Sequence, residues 1–191
     1  MGTLRNRLES QTFPDLSAMM VGYAQAAAEL GNEAFNQNLD FSSESIEGLD
    51  EIISLVGESP ELDLDFEVRL WGSYLGEVLR LRYTGSWEMT PYPGGAVAVP
   101  AVEVRGSRLF PLIKVYRRLT MGEEEDLRSF FSVVTEYQRA VLPSGRTPSN
   151  PSKAKLAAPR NLLGLPPSIT DDIPYPISLP PLPFPDTRSV L

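Results

Sequence analysis

The chain has 191 residues, a net charge of −8 and 42 % apolar residues, enough for one packed domain with an appendage. It contains neither cysteine nor histidine, which excludes disulfides, thiolate nucleophiles, Ser-His-Asp triads, and the ordinary zinc, iron–sulfur and imidazole-held iron sites. Carboxylate-only Mg²⁺ or Ca²⁺ binding and two-carboxylate acid/base chemistry stay open, whereas the acidic balance, with no basic stripe, argues against nucleic acid.

The opening "MGTLRNRLESQ" has no apolar core of a signal peptide, and Asn6 stands where a myristoylation signal wants Ser or Thr. No apolar run approaches the roughly 20 residues of a membrane span. A soluble, cytoplasmic chain is therefore expected. The first predicted helix covers residues 13–36, with Thr12 as cap, Pro14 in the first turn and a stripe of Leu16, Met20, Tyr23, Ala27, Leu30 and Ala34. A second covers 43–56, capped by Ser42 or Ser43, with Ile46, Leu49, Ile53 and Val56 inward and Gly57 as its stop.

The third, over about 64–82, places Val68, Trp71, Tyr74, Leu75, Val78 and Leu79 on one arc. Arg69, Ser73, Glu77 and Arg80 fall on the opposite, polar arc. Gly72 and Gly76 are four apart and invite close approach by another backbone. A short strand holding Trp87 follows. "PYPGGAVAVPAVEVRGSRLFP" then predicts three or four short antiparallel strands, with a turn at Gly106-Ser107 and Pro100 at an edge or bulge. A short helix starts at Pro111. A last one runs from Gly122 to about Ala140, with Thr120 and Glu123 at capping-box spacing and Leu127, Phe130, Phe131, Val134 and Tyr137 inward.

The chain changes character near Leu142. Twelve of its 18 prolines lie at or after Pro143, and this tail has five basic and three acidic residues, a net of +2. With −8 overall, residues 1–142 carry −10. "PYPISLPPLPFP" predicts extended or polyproline II chain, and its oily residues include Tyr175, Leu179, Leu182 and Phe184. A proline-locked apolar segment loses little entropy on docking. Its expected dock is an aromatic surface of Trp71, Tyr74, Trp87 and Tyr92, in cis, on a second copy or on a partner.

Glu77 is the one candidate for acid/base chemistry, set against a plain pairing with Arg80 or Arg69 at the helix surface. The run Glu123 to Asp126 reads as a solvated helix start rather than a metal site. Asp50, Glu51, Glu58, Glu61, Asp63 and Asp65 form an acidic region that aids solubility or faces a partner. No cofactor is expected.

"SIEGLDEII", then "WGSYLGEVLRLRYTGSW", then the β region and "FPLIKVYRRLTMGEEEDLRSFF" together resemble a family of small bacterial domains of unknown function, in which a YLGEV helix precedes a GxW strand. The resemblance spans about residues 42–134. It implies an α+β bacterial domain and brings no catalytic residue or cofactor. The expected fold is thus α+β: several helices packed on a small antiparallel sheet over residues 1–142, followed by an extended Pro-rich tail over 143–191. The expected function is non-enzymatic protein binding, as an adaptor whose tail docks on a partner or larger assembly. The alternatives are an immunity or inhibitor protein covering a basic effector with its acidic face, and a carboxylate-dependent hydrolase.

Overall fold

The computed structural model describes residues 2–93, 95 and 97–141; the expected tail, with Tyr175, Leu179, Leu182 and Phe184, lies outside them. Among the described residues six α-helices pack with a three-stranded antiparallel sheet, the α+β arrangement expected. They are α1 (Gly2–Ser10), α2 (Leu16–Phe35), α3 (Ser45–Gly57), α4 (Leu64–Tyr83), α5 (Pro111–Met121) and α6 (Leu127–Val141). The strands, in spatial order, are β1 (Ser86–Pro91), β2 (Ala98–Val104) and β3 (Ser107–Leu109). Helix α1 was not expected: its apolar pattern is thin, and it is anchored by Leu8, which is buried in the core.

Local chemistry sets the boundaries. Asp15, not Thr12, caps α2, accepting the Ala18 N–H at 2.8 Å, which leaves Pro14 outside the helix. Ser42 hydroxyl accepts the Ser45 N–H at 3.2 Å at the start of α3. Asp63 accepts the Phe66 N–H and opens α4. Thr84, left-handed at φ 56°, closes α4. The run expected as the start of the last helix divides in two. Gly122–Glu125 forms a separate 3₁₀ turn, and Asp126 caps α6 through the Ser129 N–H at 2.8 Å. Thr120 makes no capping box; its hydroxyl donates to the Tyr116 carbonyl of its own helix.

In the sheet, Trp87 faces Val102 and Val102 faces Leu109. These residues and Val104 join the main core against α4. Val99 and Ala101 point the other way and form a smaller cluster with Tyr92, Phe110 and Ile113. The β2–β3 turn sits at Arg105-Gly106, one residue earlier than expected. Both have positive φ, 52° and 83°, the two-residue hairpin geometry whose twist matches the strands. Pro100 lies inside the central strand, opposite Met89, but β3 is too short to reach it, so no ladder bond on that side is lost.

Helix α4 is the axis of the molecule. Every residue from Phe66 to Leu79 is buried, including the arc expected to be polar. An α4 with one wet face would need fewer neighbours. Here α2, α5 and the sheet enclose it from different sides. Gly72 makes room for the backbone of α5: a Cβ there would stand 2.8 Å from Leu112 Cα. A Cβ at Gly76 would run into the Trp87 ring and Pro111.

Gly72→Ala is expected to lower unfolding free energy by about 1–3 kcal/mol in chemical denaturation, because the obstructing atom is main chain and overpacking is relieved only by moving α5. Asp126→Ala is expected to cost about 1 kcal/mol at pH 7. The Ser129 N–H bond holds the Asp126 carboxyl below its ordinary value. That stability is therefore present above the ordinary aspartate range and lost as pH falls through the lowered value, so wild type and variant should converge in strong acid.

Candidate functional site

Enclosing α4 puts charged groups inside the protein. Glu67, Arg69 and Glu77 are 5, 7 and 3 % exposed. Each carboxylate is met by a tryptophan. Trp71, one turn along the helix, donates its indole N–H to Glu67 Oε2 at 2.6 Å. Trp87, reaching back from β1, donates to Glu77 Oε1 at 2.6 Å.

The two pairs then differ. Arg80 grips Glu77 with a two-pronged bond, Nε to Oε1 and Nη2 to Oε2, both at 2.8 Å. Glu77 is thus saturated by three charge-assisted or indole donors. The pairing with Arg80 is as expected, but the position is not: Glu77 is a buried anchor between α4 and β1 rather than a surface residue. Glu67 accepts only the indole bond among the described residues. Burial pushes its carboxyl above the usual glutamate value, and the Trp71 hydrogen bond and the positive charge of the chain's amino terminus offset part of that rise.

Arg69 donates to the Tyr23 hydroxyl at 3.2 Å and lies 5.5 Å from the centre of the Tyr23 ring. Two further carboxylates hold the C-terminal half together. Asp50 accepts from Arg118 Nε at 2.9 Å and from the Leu127 N–H at 3.0 Å, so one α3 side chain binds α5 and the first turn of α6. Glu125 takes Lys114 at 2.6 Å and also Arg117. The acidic run is therefore not uniformly solvated: Glu123 and Glu124 face water, while Glu125 is half-buried between two cations.

The four aromatic residues expected to form a docking surface do not line an open face. Trp71 and Tyr74 are completely buried, and Trp87 and Tyr92 are 9 and 8 % exposed. Tyr74 is a pin. Its hydroxyl accepts the Phe41 N–H at 2.9 Å and shares a 2.7 Å hydrogen bond with Ser45, and its ring stacks on Phe41 at 4.8 Å. This contact holds Phe41 at φ 62°, a region bulky side chains avoid. Trp87 fills the space that Gly76 leaves, and Tyr92 packs edge-on against Phe110 at 5.0 Å, away from the α4 rings. The spacing that put Trp71 and Tyr74 on the core arc was informative; the added role as a groove is incompatible with their burial.

The acidic region also divides. Asp50 is structural and Asp63 is the α4 cap, also paired with Arg5. Glu51 accepts from Gln37, and Glu58, Glu61 and Asp65 are exposed. On α3, Glu51, Leu55 and Glu58 share one outer stripe, and Leu55 is 62 % exposed. The wider pattern is one of segregation. Residues 8–68 contain 14 acidic residues and no Lys or Arg.

Among the described residues no three acidic side chains are placed to hold a metal ion, and no helix is long and apolar enough to cross a membrane. No family model, curated protein or solved structure matches the chain.

Sequence reasoning missed Asp50, Glu67 and Arg69 as buried groups. Glu67–Trp71 spacing at i, i+4 was a usable signal, since these side chains meet on a helix. Asp50 sits beside the Ile46–Ile53 stripe. Asp50→Ala should cost about 3–5 kcal/mol in urea unfolding, because it strands Arg118 inside the protein. Glu51→Ala, one residue away on the outer face, should cost less than about 0.5 kcal/mol.

Proposed function

We propose that this protein works by binding another protein, with its acidic surface and its proline-rich tail as the contact regions, rather than by transforming a small molecule. The observation that carries the reading is the segregation of charge. Fourteen acids without one Lys or Arg occupy residues 8–68, whereas the tail is net +2 and rich in proline and apolar residues. Such a surface attracts a basic partner over long range and speeds its approach, at a rate that falls as salt rises. The fate of Glu77, Asp50 and Glu125 supports the same reading: Asp50 and Glu125 are committed to cations that join elements of the fold, and Glu77 to Arg80 of its own helix and Trp87 of β1. In the adaptor form of the proposal the tail carries the docking. In the immunity or inhibitor form, which the exposed acids around Leu55 favour, the α3 face does.

Capture with tagged full-length protein and with residues 1–142 separates the two. The adaptor form predicts a partner lost with the tail and retained at 0.5 M NaCl. The inhibitor form predicts a partner kept by residues 1–142 and released by that salt. Captures that match an unrelated tagged control in both forms would overturn the proposal.

A further inference from the structure

Helix α3 is dry on one side only. Ile46, Leu49, Ile52 and Ile53 are buried in the core. On the other side Glu44, Glu47, Glu51, Leu55 and Glu58 follow one another at three- or four-residue steps, and all five are exposed, so they form one ridge. Leu55, 62 % exposed, stands between Glu51 and Glu58. The Glu47 end of the ridge lies beside the start of α6: Arg128 pairs with Glu47 at 3.1 Å, and the Leu127 N–H donates to Asp50 at 3.0 Å.

The sequence beyond α6 complements this ridge in charge, pattern and reach. Residues 143–170 contain Arg146, Lys153, Lys155 and Arg160 and no acid. Leu156 stands between Lys155 and Arg160, as Leu55 stands between two glutamates. Glu44 to Glu58 measures about 21 Å along a helix, and Lys153 to Arg160 measures about 22 Å as extended polyproline II chain. The tether suffices. Helix α6, of 15 residues, leads the chain at most about 22 Å from the Glu47 end of the ridge. Residues 142–152 reach up to about 36 Å when extended.

We propose that the basic segment, residues 143–170, folds back onto the α3 ridge of its own chain and covers it against other basic ligands. Each exposed ion pair is weak by itself. Several on one tethered segment act together, because the tether holds that segment at a roughly millimolar local concentration. The aromatic dock expected for the tail is buried, whereas this ridge is open. A basic partner has to displace the segment before it reaches Leu55 and its flanking carboxylates. The contact is a property of the chain alone. Its role as a gate rests on the partner-binding reading, so an absent partner and an absent contact are separate results.

The chain has no cysteine, so Ser152→Cys provides a single attachment point for a nitroxide spin label beside Lys153. In the ¹⁵N-labelled full chain, the amide signals of residues 47–58 are expected to lose more intensity than those of any other exposed surface, measured against the reduced nitroxide. The loss should disappear in about 0.5 M NaCl, where charges are screened within a few ångströms. Glu51→Lys with Glu58→Lys should abolish it, and so should Lys153→Glu, Lys155→Glu and Arg160→Glu together. Combining both sets exchanges the charges and should restore it. Unmoved signals from the buried residues of α4 show that each variant keeps its fold. A mixture of spin-labelled ¹⁴N chains with unlabelled ¹⁵N chains reads a second copy as the occupant. Losses that are strongest outside α3, resist salt or the charge reversals, fail to return on the exchange, or are equal in the mixture would overturn the proposal.

Discussion

Helix α4 lies inside the protein along almost its whole length, and the rest of the structure answers to that constraint. Ordinary surface helices of small domains dry one stripe and leave the other side to water. From Phe66 to Leu79 no such side exists. Glycines at 72 and 76 admit α5 and the Trp87 ring, and every polar group on the helix has to be met from within. Ser73 turns its hydroxyl back to the Arg69 carbonyl at 2.6 Å. Glu77 draws in Arg80 and Trp87, and Arg69 leans on Tyr23. Buried ion pairs of this kind seldom add net stability compared with apolar residues of the same volume, but a missing partner is costly. They therefore fix which element lies against which.

The same constraint separates the inside of the molecule from its outside. Inside, carboxylates are tied to cations and indoles. Outside, the acids of residues 8–68 meet few opposite charges, and Leu55 stands among them. A body in which acidity serves structure at its centre and remains unspent at its surface is suited to meeting a basic partner.

Much of the architecture was legible in the sequence because it rests on local chemistry. The helical spacing of Leu16, Met20, Tyr23 and Ala27, the proline at the first turn of α5 and the run of valines in β2 each point to one outcome. The sheet count and the close approach at Gly72 follow from the same kind of signal. What escaped was decided by tertiary enclosure. Periodicity assigns Arg69, Ser73 and Glu77 to the polar arc of α4, and nothing within the helix reveals that other elements close over that arc. Tyr92 and Trp87 read as groove aromatics for the same reason: Tyr92 is met by Phe110 from later in the chain, and Trp87 folds back onto Gly76 and Glu77 of α4. Capping was misplaced by three residues at α2 and by six at α6, where several hydroxyl and carboxylate residues compete and only the backbone path selects Asp15 and Asp126.

Amide and indole hydrogen exchange measured residue by residue across α4 tests the central claim most directly. If the helix is enclosed on all sides, the amides of residues 68–79 and both indole N–H groups exchange only through global unfolding, with one free energy common to both arcs. Fast exchange confined to Arg69, Ser73 and Glu77, with protection kept at Trp71, Leu75 and Val78, would show a helix with a wet face and contradict the account.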